Sequence, residues 1–247
     1  MSLWKVGGKA TSLTEFSDWR NCWFAQAKYQ GHYVPDVDGR INTLIDLWRV
    51  PIPGNWQRTI DTPLLGQRYR RGDVGAPRSG EHRIEYEMLD DPLTNLRCMG
   101  AKVVDGINAM PLVRDEAGGR NANVEADVML LLHDGRYHRL ALLEVKDGAN
   151  NPWYAAVENL LQVKLLSTNP EQRRLFHARQ RVALPQEDLP VVGLVVAPLA
   201  YYRSPGQKSL AVQPAQRLHD RFRRELGVDL HLAIWDATAR TVTPHRW

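Results

Sequence analysis

Two apolar runs, residues 128–132 and 140–145, separated by His133-Asp134-Gly135-Arg136, constrain this chain more than any other segment. Runs of this length, rich in leucine and β-branched side chains, read as strands, and Asp-Gly between them signals a tight hairpin turn. With Asp134 and Gly135 as a two-residue loop, His133 faces Arg136, Asp127 faces Leu142 and Glu125 faces Glu144. Side chains alternate with period two, so Glu125, Asp127, Glu144 and Lys146 fall on one face, with Asp127 and Glu144 as diagonal neighbours. A loop one residue longer would slip the register and move one set to the opposite face.

That face costs stability unless something compensates it. Two carboxylates ~5 Å apart repel by roughly 3 kcal/mol at an effective dielectric near 20. A divalent cation removes the cost. Oxygen ligands favour Mg²⁺, with Mn²⁺ as a substitute, over zinc, and no His/Cys cluster with zinc spacing competes. The bland alternative is a solvent face that carries charges of both signs. The strongly apolar flanks and the helix that follows argue against it.

At these residues the chain resembles the PD-(D/E)XK nuclease superfamily. Ala126-Asp127 stands for the proline-aspartate element, with alanine replacing the proline, and Glu144-Val145-Lys146 for the (D/E)XK element. The resemblance implies a restriction-endonuclease-like fold. It also implies that Asp127 and Glu144 hold one or two metal ions, that the Val145 carbonyl adds a ligand, and that Lys146 orients or activates the attacking water. Asn151 and Pro152 open a helix over 153–167, in which Glu158 and Gln162 lie four apart. Members of the RecB-like branch carry a glutamine in this helix with a tyrosine four residues on, where this chain has Leu166. Gln162 is therefore a candidate site residue, its alternative being a solvated helix position. The family also places an acidic residue of its first core helix near the metal. Residues 79–89 read as a helix buried through Ile84, Met88 and Leu89, so Glu85 is the candidate, with Glu81 and Glu87 as alternatives and an exposed charged face explaining all three equally well.

The remaining segments read as an α/β domain: a mixed central sheet flanked by helices, the restriction-endonuclease-like core that the resemblance implies. Residues 189–199 form a nearly continuous apolar run, the mark of a strand buried on both faces. Residues 213–226 read as an amphipathic helix stopped by Gly227, and 228–235 alternate as a strand. The first 75 residues differ in character, carrying Trp4, Trp19, Trp23, Trp48 and Trp56. Ser12-Leu13-Thr14-Glu15 is a capping-box pattern before a helix with Phe16, Trp19, Trp23 and Ala27 on one stripe, and a shorter helix spans Ile41 to Trp48. These aromatics could stack nucleic-acid bases, but their helical spacing favours core packing. Two regions follow: 1–75, Trp-rich and mainly helical, and 76–247, nuclease-like, with 71–80 as the linker.

Composition excludes several classes. Among 247 residues, 43% are hydrophobic and 24% charged, as in ordinary globular domains, and no apolar run approaches a membrane span. The first residues lack a signal-peptide core, and the two cysteines, Cys22 and Cys98, are isolated, so a cytoplasmic protein with free thiols is expected. A net charge of +4 suits a polyanionic partner without establishing one. Arg68 to Arg71, Arg173-Arg174, Arg179 with Arg181, and Arg221 to Arg224 are candidate phosphate contacts or simply solvated arginines. Gly7-Gly8-Lys9 and the stretch from Gly206 to Ser209 lack P-loop spacing, and there is no Gly-x-Ser-x-Gly elbow.

The expectation is a Mg²⁺-dependent nuclease acting on nucleic acid, DNA by resemblance, with a homodimer left open. The alternatives are a catalytically weak or inactive nucleic-acid-binding or assembly module, and a protein-interaction domain whose charged face is merely solvated.

Overall fold

A computed structural model describes residues 16–28, 33–52, 80–90, 95–113, 124–148, 151–168, 189–203 and 209–245. Trp4, Trp56, the capping-box residues 12–15, the linker over 71–79 and the arginines at 68, 70, 71, 173, 174, 179 and 181 lie outside them. Three helices come first: α1 (Phe16–Ala25), α2 (Val37–Arg49) and α3 (Glu81–Leu89). Four strands follow, β1 (Arg97–Cys98), β2 (Ala101–Val113), β3 (Val124–His133) and β4 (His138–Val145). The chain continues through α4 (Pro152–Thr168), β5 (Val191–Pro198), α5 (Leu199–Arg203), α6 (Ser209–Leu226), β6 (Asp229–Asp236) and β7 (Thr241–Pro244).

Local chemistry sets the helix ends. Asn151 caps α4 by accepting the Tyr154 amide at 2.8 Å, ahead of Pro152. Asp36 caps α2 by accepting from Gly39 at 3.2 Å. At the far end of α6, Gly227 takes a φ of 67° and donates its amide to the Arg223 carbonyl at 3.2 Å, a left-handed cap that glycine adopts without a Cβ clash.

The sheet corrects the expected architecture. In place of an open restriction-endonuclease-like sheet, seven strands close into a mixed barrel in the order β1-β2-β3-β4-β5-β6-β7, with β1 also pairing parallel with β7. Pairs β4–β5 and β5–β6 are parallel, while β1–β2, β2–β3, β3–β4 and β6–β7 are antiparallel. Closure depends on two residues. Met99 and Gly100 both have positive φ, 53° and 80°, which makes a two-residue turn between Cys98 and Ala101. The short strand so formed reaches β7, and the Met99 amide donates to the Val242 carbonyl at 2.8 Å.

Apolar side chains fill both faces of the wall. The inward cluster draws on all seven strands, through residues such as Cys98, Val103, Leu130, Leu143, Leu194, Trp235 and Val242, and α3 caps it with Ile84, Met88 and Leu89. The outward face of β3 to β6, including Met129, Leu131, Leu142, Val195 and Leu232, packs beneath α4 and α6 in one cluster with Trp19, Trp23, Ile41 and Leu44 of α1 and α2. Trp19 and Trp23 are fully buried, which fits core packing for that stripe. Gly193 on β5 marks a close helix approach, since a Cβ there would lie 2.5 Å from Asn159 Oδ1 and 2.7 Å from Val163 Cγ2.

Candidate functional site

The hairpin register differs from the two-residue-loop expectation. Asp134 donates its amide to the Tyr137 carbonyl at 3.3 Å, and the Asp134 carboxylate accepts the Arg136 and Tyr137 amides at 2.9 Å each. Arg136 and Tyr137 thus join the turn, His133 pairs with His138, and the ladder runs to Val128–Leu143. The slip is by two positions, not one, so parity is kept along the ladder, but Val124 and Ala126 join the cluster of Met129 and Leu131, not that of Val128 and Leu130, so the alternation breaks beside Asp127. Asp127 and Glu144 become the next opposed pair, and neither faces the residue expected of it. In place of a ladder bond, Asp127 Oδ2 accepts the Val145 amide at 2.7 Å.

On the other side of β3 the ladder is also irregular. Between the pairs Asn108–Val128 and Met110–Ala126, Ala109 has a φ of 49°. A left-handed alanine inside a strand is a strained backbone position of the sort found beside functional sites.

Glu144 lies at the C-terminal end of β4 and Lys146 just beyond it, both nearly fully buried. Lys146 Nζ touches Glu144 Oε1 and lies 3.7 Å from Glu158 Oε2 and 3.9 Å from Glu81 Oε1. The other Glu144 oxygen accepts from Gln162 Nε2 at 2.5 Å, and the same amide group also donates to the Glu125 carbonyl at 2.9 Å. Asn159 completes the brace, donating to Gln162 Oε1 at 3.1 Å and to the Leu142 carbonyl at 3.0 Å. Gln162 is therefore a fully buried residue that fixes Glu144, not a solvated one.

Electrostatics follow from crowding acids around one ammonium. Burial and the Glu144 charge raise the Asp127 carboxyl well above the usual range, against the pull of Lys146 and the Val145 amide. Burial, with the charge and hydrogen bond of Glu144, pushes Glu158 up to about 9. Glu81 is raised by burial too, partly offset by Lys146. Burial would lower the Lys146 ammonium, but Glu144, Glu158 and Asp127 outweigh it and raise its pKa.

Glu85 is buried and near, but it does not touch this grouping through its hydrogen bonds. Its carboxylate bonds His82 Nδ1 at 2.9 Å and accepts from Asn108 Nδ2 at 3.3 Å, and it adds a minor repulsion at Asp127. Sequence reading left out Glu158 and Tyr201 as site residues. Glu158 sits one turn before Gln162 on the same helix, which was the available signal. Tyr201 is buried on α5 within the field of Lys146, Glu81 and Glu144, and only the β5–α5 junction brings it there.

The donors are all oxygens, and the carboxyl groups exceed the ammonium in number, so in kind and in charge the set fits a hard divalent cation. The arrangement does not close on one: among the described residues no three carboxylate, imidazole or thiol groups converge closely enough to hold a metal ion. Lys146 instead supplies the positive charge at Glu144.

The α6 arginines are largely engaged within the protein. Arg217 bonds both Asp38 oxygens at 2.6 and 2.7 Å, Arg221 bonds Glu225 and Asn42, and Arg223 donates to the Leu230 carbonyl at 2.8 Å. Among the described residues no helix is long and apolar enough to cross a membrane. No family model, curated protein or solved structure matches the chain.

Proposed function

We propose that the chain is a metal-dependent nuclease that hydrolyses phosphodiester bonds, with DNA as the substrate. The observation that carries this reading is the grouping of Asp127, Glu144 and a buried Lys146 at the ends of two adjacent strands, with Gln162 bracing Glu144. The reading rests on the site and its likeness to the PD-(D/E)XK motif, not on the sheet. Asp127 and Glu144, with the Val145 carbonyl, would hold Mg²⁺ or Mn²⁺, and such an ion supplies charge for the phosphoryl oxygens and acidity for the attacking water. Lys146 orients that water or offsets the charge building on the phosphorus centre. Gln162 and the Val145 amide keep the two carboxylates in place. Uncatalysed cleavage is slow enough that accelerations on the order of 10¹⁵-fold are required, beyond the reach of carboxylates alone.

A second reading is a nucleic-acid-binding or assembly module with a weak or inactive site. The contact of Lys146 with Glu144, and the lack of a converged ligand trio among the described residues, favour it. Incubation with linear, circular and single-stranded DNA, with and without Mg²⁺ or Mn²⁺, separates the two. The nuclease reading expects cleavage only with the metal, abolished in Asp127→Ala and Lys146→Ala. Salt-sensitive binding without cleavage supports the second.

A further inference from the structure

The core stripe of α1 is Trp19 and Trp23, but Arg20 and Phe24 on the same helix are only half-buried and lead elsewhere. The Arg20 guanidinium lies 5.3 Å over the Phe24 ring. Phe24 in turn stacks on Tyr154 of α4, with centroids 5.6 Å apart and planes 22° from parallel. Tyr154 stands one turn before Glu158, and Glu158, Glu144 and Lys146 all act on its hydroxyl, which burial raises first. A cation and two aromatic rings thus form a ladder that ends beside the carboxylates and ammonium. Packing of α1 on α4 accounts for two rings in contact. The i, i+4 spacing on α1 sets the guanidinium at the outer end.

We propose that Arg20, Phe24 and Tyr154 form a stacking platform for the unpaired bases of a single-stranded nucleic acid entering the site. The inference rests on the nuclease reading and names its substrate class. Every base offers a π-face to an aromatic ring, so such a platform tolerates any sequence, while the guanidinium meets the neighbouring phosphate. A duplex keeps those faces stacked on one another and cannot use it.

The test is fluorescence anisotropy of the full chain in EDTA with two probes, an oligothymidine and a blunt hairpin duplex. Cleavage of both probes in Mg²⁺ is measured in parallel. Tyr154→Leu is expected to weaken oligothymidine binding roughly 5- to 100-fold, and Arg20→Gln roughly two- to five-fold, with duplex binding unchanged. Tyr154→Phe keeps the ring and retains binding. Arg20 is half-buried and lies off the core stripe of α1, so Arg20→Gln reports on the platform even if Tyr154→Leu does not fold. Unchanged oligothymidine affinity in a folded Arg20→Gln, or equal losses on both probes, overturns the proposal. So does a parent chain that binds no single strand: if it still cleaves the duplex, the platform alone falls, and if it neither binds nor cleaves, the nuclease reading falls with it.

Discussion

Gln162 shows how one buried amide organises the site. It gives a hydrogen bond to one Glu144 oxygen and another to the part-buried Glu125 carbonyl, so Gln162→Leu removes both and leaves Lys146 as the donor on the other Glu144 oxygen. The expected cost is about 1–3 kcal/mol, read from urea unfolding, with the midpoint falling and the slope unchanged. Glu158 makes a pH prediction. Its carboxyl titrates near 9 in the folded chain against an ordinary 4.5, so the folded chain holds a proton that the unfolded chain has released. Stability is then fullest below about 4.5 and declines as pH rises toward 9. Lys164, pushed down to about 8 by burial, acts with the opposite sign and restores stability from pH 8 upward. Between pH 5 and 8 the urea midpoint should therefore fall with rising pH, and Glu158→Gln should flatten that slope; a parallel slope in the variant would contradict the assignment. The hairpin spacing pointed to Asp127, Glu144 and Lys146, and the likeness to the RecB-like branch pointed to Gln162. Neither could decide whether Gln162 was solvated, because the charged and amide residues of α4 do not reveal that nearly the whole helix is buried.

The β3–β4 hairpin shows what local pattern settles and what it leaves open. Two apolar runs sufficed for the strands and for the parity of their faces. The loop length escaped because Asp134 caps a longer turn with its carboxylate, which drew Arg136 and Tyr137 out of the ladder. Gly135 sits at a φ of 99°, so Gly135→Ala should cost about 1 kcal/mol or more, seen as a lower melting temperature. Helix α4 meets β5 closely at Gly193, and Gly193→Ala should cost about 1–3 kcal/mol by overpacking Asn159 and Val163. The exposed Arg217–Asp38 pair joins α6 to α2, and Arg217→Ala should change stability by about 1 kcal/mol or less in a double-mutant cycle with Asp38→Ala.

Barrel closure is the feature least legible in the sequence. It depends on Arg97 and Cys98, a strand too short to show alternation, and on a Met-Gly turn in place of the usual Asn-Gly or Asp-Gly signal. Pairing of β1 with β7 joins residues that are far apart in the chain, which no local window can see. Closure makes the Arg97 and Met99 amides donors to Arg240 and Val242, so hydrogen exchange should protect both; rapid exchange at these two would mean an open sheet. The barrel holds the ends of β3 and β4 in register, and the chemistry at those ends is the central claim. It is tested most directly by single-turnover cleavage of labelled DNA by the parent chain and by Asp127→Asn, which keeps an acceptor for the Val145 amide. The parent should cleave only with Mg²⁺ or Mn²⁺, and the variant should be slower by on the order of 10²-fold or more at unchanged stability. Cleavage by Asp127→Asn at the parent rate, or parent cleavage undiminished in EDTA, would contradict the account.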